Sequence, residues 1–145
     1  MDASEVVTEL KSLLDDNVAL TALMGTQSGD TKVFIRNTVP QNAQFPLLLI
    51  SDFAHAPQAA GQRPQHYNAA IDVTVCAQLR ADGSDDLSLL HRIAAVVDTI
   101  VEGSLEGTTD TCRYNGFRLQ TAAATQTLDS YSVKVITYQG KLAKV

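Results

Sequence analysis

The stretch YNAAIDVTVCAQLR, Tyr67 to Arg80, alternates apolar and polar residues with a period of two. Ile71, Val73, Val75, Ala77 and Leu79 point one way, while Asp72, Thr74, Cys76 and Gln78 point the other. A helix would scatter those residues around its circumference, so the pattern demands an extended strand. It also demands a sheet with one core face and one polar face. Whatever else the chain builds has to cover that one greasy side.

A second strand is of a different kind. In PLLLISDF, Pro46 cannot donate to a ladder and belongs at the strand's first position, and the continuous apolar run after it predicts a strand covered on both sides or central in the sheet. Pro40 and Pro46 bracket a turn that returns the chain from a short strand, KVFIR. Between the two long strands, AHAPQAAGQRPQH is rich in Ala, Gln, Pro and Gly and reads as a long polar loop. Two last strands, at about Cys112 to Thr125 and Ser130 to Gln139, read as a hairpin turning near TLD.

The helices announce themselves by spacing and caps. Val6, Leu10, Leu13 and Leu14 recur at helical spacing from Asp2 to about Asp15, with Asp2 and Glu5 in capping-box positions. VALTALMG predicts a short second helical turn, capped by Asn17 and stopped by Gly25, before a polar loop TQSGDT. The second main helix carries Leu87, Leu90, Ile93, Ala94, Val97, Ile100 and Val101 on one face and ends at Gly103, with Ser84 as expected cap and Asp85 and Asp86 in its first turn. The order is α-β-β-β-α-β-β. It predicts a single α+β domain over residues 1–145, with a mixed, mostly antiparallel sheet of about five strands and two main helices packed on one face.

Charge and composition narrow the function. A formal charge of −5 with eleven scattered basic residues argues against a duplex-binding protein. The start, MDASEVV, lacks the basic and apolar regions of a secretory signal, and no apolar run approaches the roughly 20 residues that cross a bilayer. Cys76 and Cys112 form no CxxC pattern and read as structural thiols in a reducing setting.

Chemistry-bearing motifs fail on mechanism. GTQSGDT at Gly25 has glycines too close for a phosphate-binding loop, Asp30 where the lysine belongs, and a helix-to-strand order that is the reverse of the required one. GSLEG does not centre a serine between its glycines. His55 and His66 share the polar loop but have no third ligand at standard spacing, and His91 borders the apolar stripe of its helix. Asp52, Asp72, Asp85 and Asp86 could include a catalytic pair, although carboxylates at strand ends and helix starts usually serve capping and solubility. The expectation is no enzyme, no cofactor and no metal.

Taken together, LTALMG, KVFIRNTVP, FPLLLISDF, a polar loop, AAIDVTVCAQ and LLHRIAAVVDTIVEG resemble the small tail-completion, or tail-terminator, proteins of long-tailed bacteriophages and related gene-transfer particles. The likeness runs from about Leu10 to Gln139 and lies in hydrophobic blocks and the turn ending in Phe45–Pro46. It implies a virion protein assembled in the host cytoplasm. Such proteins form a homo-oligomeric ring, usually hexameric, that caps the tail tube, stops its polymerisation and faces the head-completion connector, with DNA passing through the lumen unbound. On that view Arg36, His55, Pro57, Gln62, Arg63 and His66 are candidates for subunit or tube contacts, and Asp82, Asp85 and Asp86 for a phosphate-repelling lumen. Two alternatives stay open: another head–tail joining or minor tail protein, or a small ligand-binding or enzymatic α+β domain.

Overall fold

The computed structural model describes residues 3–58 and 65–145, and only the backbone of Asp52. Helix α1 (Ser4–Asp15) buries Val6, Leu10 and Leu14, the stripe its spacing prescribes. Ala3 stands at its cap position without a side-chain bond; the expected cap, Asp2, lies outside the described residues. Helix α2 (Val18–Met24) starts where Asn17 Oδ1 accepts the Leu20 N–H at 2.9 Å. It stops at Gly25, whose φ of +71° few other residues adopt and whose N–H donates to Thr21.

Next comes a departure from expectation. TQSGDT is a miniature hairpin of β1 (Thr26–Gln27) and β2 (Asp30–Thr31), turned by Ser28 and Gly29 with both φ angles positive. Strand β3 (Val33–Phe34) is all that forms of KVFIR, and it lies parallel to the start of β4 (Leu47–Pro57). Then follow β5 (His66–Gln78), helix α3 (Leu87–Ser104), β6 (Gly107–Thr108), β7 (Cys112–Ala122), β8 (Gln126–Thr127) and β9 (Tyr131–Lys144). The main sheet runs β3-β4-β5-β9-β7-β6, with β8 also on β9, and every pair but β3–β4 is antiparallel. The α+β class and mixed sheet hold, but the sheet has seven strands rather than about five. The two extra ones, β6 and β8, are two-residue pieces too short to leave a periodic signal.

All three helices share the main core with one side of the sheet. Tyr67, Ala69, Ile71, Val73, Val75 and Ala77 of β5 meet Leu90, Ile93, Val97 and Val101 of α3 and the buried stripe of α1. Burying a side chain of this size stabilises by about 1.5–3 kcal/mol, so this layer carries most of the fold. Leu79, expected to continue the alternation, lies past the end of β5. The α3 stripe is also shorter than expected, because Leu87 is 47% exposed at the first helical position. The cap of α3 is Asp86, which accepts the Leu89 N–H; Ser84 instead donates its hydroxyl to Asp82. Gly103 does not end the helix, which runs on to Ser104.

Leu47 to Ile50 are all buried because the strand is covered on both sides, as its composition implies. Leu48 and Ile50 enter the main core, whereas Leu47, Leu49 and Cys76 form a second cluster on the opposite face. The connection 35–46 folds over that cluster with Val39, Ala43 and Phe45. Phe45 stacks on Tyr131 at 5.0 Å, and Gln27 pins the connection by donating to the Asn42 carbonyl and accepting from the Gln44 N–H, both at 2.9 Å. One end of the sheet's second face is thereby closed.

Candidate functional site

The other end of that face stays open. Asn68 and Ala70 of β5, Gln139 and Lys141 of β9, and Arg113, Asn115 and Arg118 of β7 share it by register: Asn68–Lys141–Asn115 form one row and Ala70–Gln139–Arg118 the next. The three cations and the amides of Asn115 and Gln139 are exposed. Lys141 Nζ donates to Asn68 Oδ1 at 2.6 Å, which holds the ammonium flat against the sheet. Asp72 marks the boundary and accepts the Thr137 hydroxyl at 2.6 Å.

A bulge shapes this surface. Between Asn115 and Arg118, the residues Gly116 and Phe117 stand opposite the single Gly140. Gly116 has a φ of +68°, so the strand turns over there, sending Phe117 into the core and Arg118 back to the open face. A second irregularity follows at Gln120. Around them lies a shallow depression of about 350 Å³ bordered by Asn68, Arg118, Gln120, Gln139 and Lys141. Gly116, Leu119 and Gly140 line it as well, and its amide and cationic groups suit hydrogen bonding to a polar, acidic surface.

Strand edges complete the picture. The outer edge of β4 beyond Ile50 has no strand beside it among the described residues, and Ser51 forms a bulge there. The outer edge of β7 is partly guarded, because Glu102 of α3 accepts the Leu119 N–H at 3.1 Å.

The residues singled out from sequence scatter over this frame. The polar loop is much shorter than expected: Ala54 to Pro57 belong to β4 and His66 to β5, and pairing continues through Gln58 N–H to the His66 carbonyl. Alanine and proline content hid a strand that the ladder with β5 holds in place. His55, Pro57 and His66 are therefore exposed strand residues near one sheet end, with His55 stacked edge-on against Tyr67 at 5.6 Å. Gln62 and Arg63 lie outside the described residues. Arg36 is exposed on the covering connection, away from that end, and donates to Thr38.

Asp82, Asp85 and Asp86 do stand together, each with a local bond. Ser84 donates to Asp82 through its hydroxyl and its N–H, which holds the Asp82 carboxyl below its ordinary range. Asp85 accepts from Thr127, and Asp86 caps α3. Of the carboxylates considered for catalysis, Asp52 and Asp72 are register partners, whereas Asp85 and Asp86 sit at the start of α3. Cys76, expected on a polar face, is fully buried, and burial pushes its thiol up to about 12. Cys112 is buried beside the Thr109 hydroxyl. Among the described residues, no group of three His, Cys, Asp or Glu side chains is placed to hold a metal, and no helix is long and apolar enough to cross a membrane.

Sequence reasoning missed Arg113, Arg118 and Lys141. The polar positions 137, 139 and 141 of β9 do alternate, but the bulges in β7 break the phase that would have put its arginines on the same face.

No family model matches the chain, and no curated protein sequence matches it. Solved structures do. A chain described as "Virion of native gene transfer agent (GTA) particle" superposes with a TM-score of 0.71 over 92% of this chain and 91% of that one, at 12% identity. The fold is shared over most of both chains. A second solved chain, which carries no functional description, gives a TM-score of 0.57 at 15% identity over 98% and 96%. At these identities the likeness is one of fold.

Proposed function

We propose that this chain is a structural component of a phage-like particle, and more narrowly a subunit of a ring that caps the tail tube. The observation that carries the reading is the fold likeness to a chain of a gene transfer agent virion. The sequence blocks that resemble tail terminators point the same way. In this reading the subunits close a homo-oligomeric, hexameric ring through heterologous contacts. The ring halts tube polymerisation, presents its outer face to the head-completion connector, and lets DNA pass unbound. The chain works by binding and positioning, with no reaction assigned to it, and its place is the head-proximal end of the tail.

The exposed strand ends around His55, Pro57 and His66 supply one surface for the tube or a neighbour. The test is direct. Tail tube protein polymerising alone is compared, by negative-stain microscopy, with the same protein plus this chain. The expected result is tubes of limited length bearing a ring at one end. Decoration along the tube walls would favour another tail component, and tubes of unchanged length without rings would refute the capping role.

A further inference from the structure

We infer that the open, basic end of the sheet's second face is the docking surface for an acidic surface of a second copy of this chain. This deepens the ring reading by assigning one side of its repeating contact. The argument begins with charge. The whole chain has eleven basic and sixteen acidic residues, a formal −5. Arg113, Arg118 and Lys141 put three of the eleven on one face, so the remainder carries 8 − 16 = −8. The patch therefore opposes the field of the molecule that bears it, and another copy offers the complement.

The charges are also separated along the strands. Gln78 pairs with Tyr131 at one end of the β5–β9 ladder, and Asn68 pairs with Lys141 toward the other. Those ends are roughly 33 Å apart at about 3.3 Å per residue. Asp82, Asp85, Asp86 and Asp129 lie in the turns beyond the first end, far from those three cations, although Arg80 beside Asp82 and Glu102 and Glu106 beside Arg118 offset part of the separation. A molecule polarised in this way attracts its neighbour head to tail. That arrangement is heterologous, and it gives the ring of the proposed function when the rotation from one subunit to the next closes. It reassigns the turn aspartates from the lumen to a subunit contact.

The chemistry of the patch selects against nucleic acid. Three cations on a chain of net −5 are few for a phosphate backbone, and among the described residues the open end of the face carries no exposed aromatic ring for base stacking. Size matters too. Three strands at about 4.8 Å spacing and some six residues of length present roughly 300 Å², little more than a third of what each partner contributes to a standard interface. One such contact is weak and salt-sensitive, and closure of the ring multiplies it.

The experiment uses the full chain. Self-association of the wild type is measured by sedimentation velocity across a concentration series, at low and at high salt. It is compared with R118E/K141E and with D82K/D129K, each checked for a native circular dichroism spectrum and melt. The expected result is salt-weakened association in the wild type, about tenfold weaker in either variant. Association recovers when the two variants are mixed in pairs or when all four changes share one chain. Wild-type association unaffected by R118E/K141E would overturn the docking face while leaving the ring intact. A wild type monomeric at every salt and concentration, both alone and beside tail tubes, would overturn both. Binding of a DNA duplex that R118E/K141E abolishes, without self-association, would also overturn it.

Discussion

Gly140 offers the sharpest test of the core. A Cβ at this position would lie 2.5 Å from both Cγ and Cδ1 of Phe117 and 2.7 Å from Cε1. Carbon atoms prefer about 3.5–4.0 Å, so Gly140→Ala demands a displacement of about 1 Å or more. Phe117 cannot easily give. The close atoms include the root of its ring, the ring is 2% exposed, and the Gly116 bulge fixes its backbone. Overpacking of this kind costs about 1–3 kcal/mol, against which a stiffer unfolded chain returns about 0.4–1 kcal/mol. Contacts at 2.5 Å place the cost in the upper part of that range, so a net loss of about 1–2 kcal/mol remains. With an unfolding entropy of about 2.1 cal/mol/K per residue over 145 residues, that lowers Tm by roughly 3–7 °C. Urea denaturation followed by circular dichroism measures the loss, with an unchanged slope expected. In a Phe117→Ala background the added methyl fills vacated space, so its cost should vanish. A neutral Gly140→Ala, or an equal penalty in both backgrounds, would refute the steric account.

Three further outcomes follow from particular contacts. The buried Tyr138 hydroxyl donates to Asp98 on α3, so Asp98→Ala, which strands a buried donor, should cost about 1–3 kcal/mol and more than Tyr138→Phe; equal losses in urea melts would contradict this. Asp86→Ala should cost about 1 kcal/mol through the lost cap, whereas Ser84→Ala should cost almost nothing, as paired thermal melts would read. Burial raises the Cys76 thiol from its ordinary 9.0 to about 12, so the folded state keeps a proton that the unfolded state releases. Its contribution to stability is complete below about 9 and drains away as pH rises toward about 12, and the slope of stability over that window should be shallower in Cys76→Val. In the native state at pH 8 the thiol should resist iodoacetamide.

What could be read from the sequence was what period and capping encode. Helices α1 and α2, the alternation of β5 and the double coverage of Leu47–Ile50 follow from side-chain spacing alone. Local chemistry was less decisive where two residues compete: Ser84 and Asp86 both suit a cap, and only the packing of Leu90 into the core selects the later start. The strand at Ala54–Pro57 escaped because its residues have weak strand preference, and its order comes from the ladder with β5. The basic face escaped for a related reason. One glycine at positive φ shifts the alternation of β7, and Arg118 changes sides with it.

The folded-back connection over Leu47, Leu49 and Cys76 has a consequence for assembly. By sealing half of a face internally, the chain restricts where neighbours of any sort can settle, and a substitution on the uncovered half alters contacts between molecules without endangering the hydrophobic interior.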